Sequence, residues 1–180
     1  MSEAALFDTP DPRTEVAPKP SPPVKWTERM MLDLLRRRYG TRAGNGVRYA
    51  YAEHVRSAAG FDARRTADFM AMDLWPSNGL TLHGHEVKVS RSDWLHELKD
   101  PTKADEFKRY MDRWWLVVPD SRIVKDDLPD GWGLMVSNED RGETLRVVRP
   151  APKLRPEPVP KSMMAALLRA VAATTRRECQ

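Results

Sequence analysis

Cysteine is almost missing from this chain: of 180 residues only Cys179 carries a thiol. A single thiol forms no intrachain disulfide and supplies no cysteine zinc site, so a reducing cytosol is the expected compartment. Long apolar runs are missing as well. No stretch approaches the ~18 consecutive apolar residues of a spanning helix. The first residues, Met1 to Asp8, have no basic segment followed by an apolar one, and a secretory signal is not expected. No internal repeat is visible.

What is present fits a single folded domain with tails. Hydrophobic residues make up 41% and charged residues 31%, enough for one real core in a chain of this length. The net charge is +4 and the pI about 9.3, which suits a nucleic-acid partner without demanding one. Much of the positive charge lies in Arg36-Arg37-Arg38, Arg42, Arg48, Arg64-Arg65 and the segment from Lys99 to Arg113.

Residues 1–24 hold six prolines and few large apolar residues, so a disordered or extended tail is expected there. Residues 25–149 read as the folded domain. Within it, the 26–39 segment reads as a helix capped by Thr27, with Trp26 stapled to Met31 and Met30, Met31, Leu34 and Leu35 as its apolar stripe. Gly40 is expected to end it in a left-handed cap, and residues 41–46 to form a loop. Strands are expected at 47–55, about 65–74, about 80–90, 114–118, 132–137 and 143–149, with a turn or short helix at 57–62. Trp114 to Val118 is continuously apolar, as in a strand buried on both faces. Asp73 falls on the face opposite Asp68 and is expected to be exposed. Ser90 or Ser92 can cap a helix whose Trp94, Leu95 and Leu98 pack inward. Pro101 breaks it, and a further helix follows at 103–111. Residues 150–160 carry five prolines, a stiff connector. Residues 161–180 close the chain with a helix packed on the core through Met163, Met164, Leu167, Leu168 and Val171.

The chemistry concentrates in Leu82 to Trp94, around Glu86-Val87-Lys88. On a strand, Glu86 and Lys88 share one face while Val87 and Val89 take the other. The carboxylate can hold a hard divalent cation, and the ammonium can orient a water beside it. A hard cation is held by one or two carboxylates with waters and phosphate oxygens. The second carboxylate is Asp68: the turn at Pro76-Ser77-Asn78-Gly79 folds its strand back against that of Glu86. Seventeen residues separate the two acids. His83 and His85 alternate away from the Glu86/Lys88 face and lack a third soft ligand.

These motifs, Arg65 to Met72, the hairpin, Glu86 to Trp94, Tyr110 to Pro119 and Gly133 to Val136, follow one another in an order that resembles the PD-(D/E)XK nuclease superfamily, and within it the MmcB-like DNA-repair endonucleases. The resemblance covers roughly residues 45–175. Ala67 stands where the superfamily name has proline, and residues 100–107 make a longer link than usual. The resemblance implies an α/β restriction-endonuclease-like core, a mixed sheet flanked by helices. It implies a metal-dependent DNA endonuclease of repair or recombination, cytoplasmic and nucleoid-associated. Asp68, Glu86 and the carbonyl of Val87 would hold Mg2+ or Mn2+, and Lys88 would complete the catalytic set.

Glu28 corresponds to an acid many superfamily members place near the metal, and it equally suits the helix dipole. Ser90 and Asp93 match the family pattern, and capping explains them as well. Tyr110 faces either the substrate or the core. Arg64, Arg65, Arg91, Lys108 and Arg109 are the candidate DNA contacts. A homodimer, and a repair protein docked on the proline-rich tail, are further partners to consider. The competing reading is a nuclease-like module that binds DNA or a partner without cutting.

Overall fold

A computed structural model describes residues 25–40, 46–58, 65–100, 102–138 and 144–178. Six strands form one sheet in sequence order: β1 (Tyr49–Arg56), β2 (Thr66–Asp73), β3 (Leu82–Val87), β4 (Arg113–Val118), β5 (Trp132–Asn138) and β6 (Thr144–Arg149). The β1–β2, β2–β3 and β5–β6 pairs are antiparallel, and the central β3–β4 and β4–β5 pairs are parallel. Parallel neighbours need a long crossover. Here α2 (Arg91–Leu98) and α3 (Thr102–Lys108) supply the first, and a 13-residue segment with only a 3₁₀ turn, Ser121–Ile123, supplies the second.

The sheet is covered on both faces. Helix α1 (Glu28–Tyr39) packs Met31, Leu32, Leu35 and Tyr39 onto Phe69, Val117, Met135 and Leu145. On the opposite face Trp94, Ala104, Phe107 and Met163 meet Trp114, Leu116 and Val118, bringing α2, α3 and α4 (Lys161–Glu178) onto the sheet. The protein is therefore an α/β fold with a mixed sheet between helices, and the two tryptophans of β4 are core residues.

Several expectations are corrected. Gly40 is right-handed (φ −79°): its N–H still bonds the carbonyl of Arg36 at 2.6 Å, so the chain leaves α1 without reversing its twist. Asp73 is buried, because the hairpin folds donors over it: Arg48, the amide of Trp75 and Asn78 all bond its carboxylate. Leu95 is exposed, since α2 has two turns and Trp94 takes the inward position. On α4, Met164 and Leu168 face solvent. That helix lies along β1, at one edge of the sheet, so a narrower stripe suffices. The proline connector is no free spacer: the amides of Leu154 and Glu157 bond the carbonyls of Asp112 and Arg109. Residues 1–24, 41–45 and 59–64, with their tail, loop and turn, lie outside the described residues, and so does Arg64.

Glycine 84 matters to the site two residues on. A Cβ there would sit 2.2 Å from the ring of Trp114. Gly84→Ala should destabilise the fold by ~1–3 kcal/mol through overpacking. Urea unfolding checks this, and unchanged stability would mean that the ring yields freely.

Candidate metal and phosphate site

Strand β3 sets the first pair. Lys88 lies one residue past its last ladder position, yet its N–H still reaches the carbonyl of Val117 at 3.1 Å. The extended backbone thus persists, and Glu86 and Lys88 keep one face. Lys88 Nζ bonds Glu86 Oε1 at 2.5 Å.

Strand β2 supplies Asp68. Phe69 pairs with His85, so one step along Asp68 comes opposite Glu86. Its Oδ2 accepts the N–H of Val87 at 2.8 Å. It is thus the amide of Val87 that meets Asp68. The hairpin that makes this possible turns through a 3₁₀ segment, Pro76–Asn78, with Gly79 left-handed (φ 81°), a conformation glycine adopts without cost.

Helix α2 adds a residue that sequence reasoning missed. Ser90 Oγ accepts the N–H of Asp93 at 3.2 Å and so starts the helix. Trp94 is buried and donates to Asp127 at 2.6 Å, which fixes the helix rotation. Three residues on, Glu97 shares that face and brings Oε2 to 3.3 Å from Lys88 Nζ. The ammonium therefore sits between two carboxylates, with all three side chains largely enclosed (16%, 14% and 13% exposed for Lys88, Glu86 and Glu97). The i,i+3 step from Trp94 is the sequence signal that points to Glu97.

The electrostatics follow from enclosure. Burial, then the Asp68 carboxylate, pushes Glu86 above the usual carboxylate range, against the pull of Lys88. Burial also raises Asp68, although the Val87 amide and Lys88 oppose it. Burial alone would lower Lys88, but Glu86, Asp68 and Glu97 together hold it above its ordinary value, and it stays protonated. Two crowded acids beside one ammonium are a donor set that a divalent cation would relieve. In that sense the chemistry of Asp68 and Glu86 fits a hard metal ion.

Beside this group lies a cleft of about 160 Å³, lined by Arg65, Thr66, Glu86, Glu97, Lys103 and Trp114 among others. Lys103 was not singled out from the sequence. Arg65 borders the cleft and is within 3.5 Å of Asp100. The other described DNA-contact candidates are engaged in the fold. Arg91 bonds the carbonyls of Ile123 and Val124 and pairs with Asp127. Lys108 bonds the carbonyl of Asp130, and Arg109 pairs with Glu157. Tyr110 packs against the core, with the Arg109 guanidinium 5.7 Å from its ring centre. Ser90 caps α2, and Asp93 lies in its first turn.

Glu28 begins α1 behind its Thr27 cap, and it comes together with His54 of β1 and Asp68. One potential ligand atom from each lies within 4.8 Å of the others. Glu86 is outside this group of three. His83 and His85 lie on the α1 side, as their alternation predicts. The ring nitrogens of His85 reach Tyr39 Oη at 2.8 Å and the Phe69 carbonyl at 3.3 Å.

No family model and no curated protein matches the chain. Among solved structures it is similar to a protein of unknown function from Silicibacter pomeroyi, with 21% identity and a TM-score of 0.53 over 83% of this chain and 88% of that one. At that identity the likeness speaks to the fold. Among the described residues no helix is long and apolar enough to cross a membrane.

Proposed function

We propose that the chain is a metal-dependent DNA endonuclease of the PD-(D/E)XK type, MmcB-like, acting in DNA repair or recombination in the cytoplasm at the nucleoid. The observation that carries this reading is the meeting of Asp68, Glu86 and Lys88 from two neighbouring strands beside a small cleft with basic residues on its rim.

In this reading Asp68 and Glu86, with the Val87 carbonyl, hold Mg2+ or Mn2+. The ion supplies a polarised phosphate and a water of lowered pKa. The protein does the rest. Lys88, kept protonated by its three acid neighbours, is a poor base; its ammonium orients the attacking water and offsets charge that builds on the phosphate. Glu97, 3.3 Å away, is a second acid that holds that ammonium in place. Arg65 and Lys103 meet the backbone phosphates at the rim.

The test is a cleavage panel on labelled fork, flap, junction, duplex and single-stranded DNA, with Mg2+, with Mn2+ and with chelator. Cutting of at least one substrate that chelator abolishes is the expected result. No cutting of any substrate with either metal ends the enzyme reading. One observation favours the alternative, a DNA- or partner-binding module: Lys88 already bonds Glu86 and so occupies a proposed metal ligand. DNA binding without calorimetric uptake of either metal supports that module.

A further inference from the structure

We infer that Glu28, His54 and Asp68 form a mixed nitrogen–oxygen site for a first-row divalent transition ion, Mn2+ among them, in preference to Mg2+. The inference goes beyond the nuclease reading. It shares Asp68 with that reading but needs neither Lys88 nor any hydrolysis.

Three separate elements converge: the first turn of α1, the last residues of β1 and the start of β2. Glu28 Oε1 lies 3.9 Å from His54 Nδ1, and all three ligand atoms fall within 4.8 Å of one another. Donors bound at ~2.0–2.2 Å to one ion stand roughly 3–4 Å apart, so a small contraction closes the set.

The state of His54 distinguishes it from the histidines of β3. His83 contacts Thr81 and Trp115, and both nitrogens of His85 are taken. Among the described residues neither ring nitrogen of His54 makes a hydrogen bond. At 3.9 Å, Glu28 is too far to be one. Its Nδ1 is therefore not committed to any hydrogen bond and stands beside two carboxyl groups. Asp68 is similarly prepared: Oδ2 is committed to the Val87 amide, which fixes the carboxylate plane, while no hydrogen bond engages Oδ1 among the described residues.

The backbone also departs from a plain strand here. Glu53 pairs with Phe69 and Val55 with Ala67, but His54 between them is left-handed (φ 51°). Glu53 reaches toward α1, whereas Val55 lies in the core cluster of the opposite layer. The alternation of a regular strand is broken at the residue that meets Glu28.

Chemistry then sets the ion. Mg2+ prefers an all-oxygen octahedron and keeps its waters, whereas imidazole suits first-row transition ions. One imidazole and two carboxylates, exposed at His54 and Glu28, leave room for water on the same ion.

The test is Mn2+ titration of the metal-stripped full chain. Electron paramagnetic resonance measures bound ion, and spin-echo envelope modulation detects a coordinated ¹⁴N. The wild type should bind Mn2+ with a ¹⁴N coupling. His54→Ala should lose the coupling and about 10-fold or more of Mn2+ affinity, while its weaker Mg2+ affinity changes little. Glu28→Gln should keep the coupling and bind more weakly. Circular dichroism confirms that each variant is folded. Binding without a ¹⁴N coupling, equal Mn2+ affinity in wild type and His54→Ala, unchanged affinity in Glu28→Gln, or no binding at all would each overturn the site. The nuclease reading is judged separately by cleavage. A chain that binds Mn2+ through His54 and cuts nothing keeps this inference and loses that one.

Discussion

Lys88→Ala is expected to lower metal-dependent DNA cleavage about 100-fold or more while folding and DNA affinity survive. The size follows from the role: losing one electrostatic contributor aimed at developing charge costs on that order. The direction follows from the geometry, in which the ammonium touches Glu86 at 2.5 Å and Glu97 at 3.3 Å. Removing it leaves Asp68, Glu86 and Glu97 with no cation among them, so the metal-free variant should carry a further raised Glu86. Its fold should hold, because Lys88 lies one residue past the end of β3 and outside both core clusters. The measurement is single-turnover cleavage alongside anisotropy with labelled DNA. A variant that cuts as fast as wild type would remove Lys88 from the chemistry.

Glu53→Gln should cost about 3 kcal/mol or more of stability, the usual consequence of leaving buried charges unbalanced. Glu53 is a buried carboxylate of β1 on which α1 and α4 converge. Arg29 and Arg36 of α1 each bond both of its oxygens at 2.6 to 2.9 Å, and Arg177 of α4 lies 3.8 Å away. Its own N–H donates to Thr174 Oγ1.

Burial pushes this carboxyl up, but the two bonded guanidiniums outweigh it and hold it down at about 2, from an ordinary 4.5. A depressed carboxyl stabilises the folded state above its unfolded value, and that contribution is lost as pH falls from about 4.5 toward 2. Acid unfolding of the wild type should accordingly steepen in that window, and Glu53→Gln should flatten it. Denaturant titrations at pH 7 and pH 3 measure both effects. Equal stability of the two proteins at pH 7 would show that the arginines find other partners. The knot also bears on the site, because Arg29 neighbours Glu28 and Glu53 neighbours His54.

The hairpin, the shared face of Glu86 and Lys88 and the position of Asp68 opposite them were legible in the sequence. They depend on the two-residue period of a strand and on a turn that glycine and proline announce. The capping of α2 by Ser90 was equally local. Glu97 was half legible. It has the right step from Trp94, but nothing in the sequence says that α2 is rotated to bring that step over Lys88. The buried state of Asp73 was misread because strand alternation says nothing about which donors a turn folds over its end.

The sequence by itself determined an α/β chain, its strands and helices, and three residues of the proposed centre, because those follow from periods and turns within a few residues. Only the tertiary structure decided that Glu97 and Lys103 join them, that Arg91, Lys108 and Arg109 are engaged in the fold, and that His54 meets Glu28 and Asp68. Those facts depend on how distant segments lean on one sheet, and on a left-handed residue in β1 that no local pattern encodes.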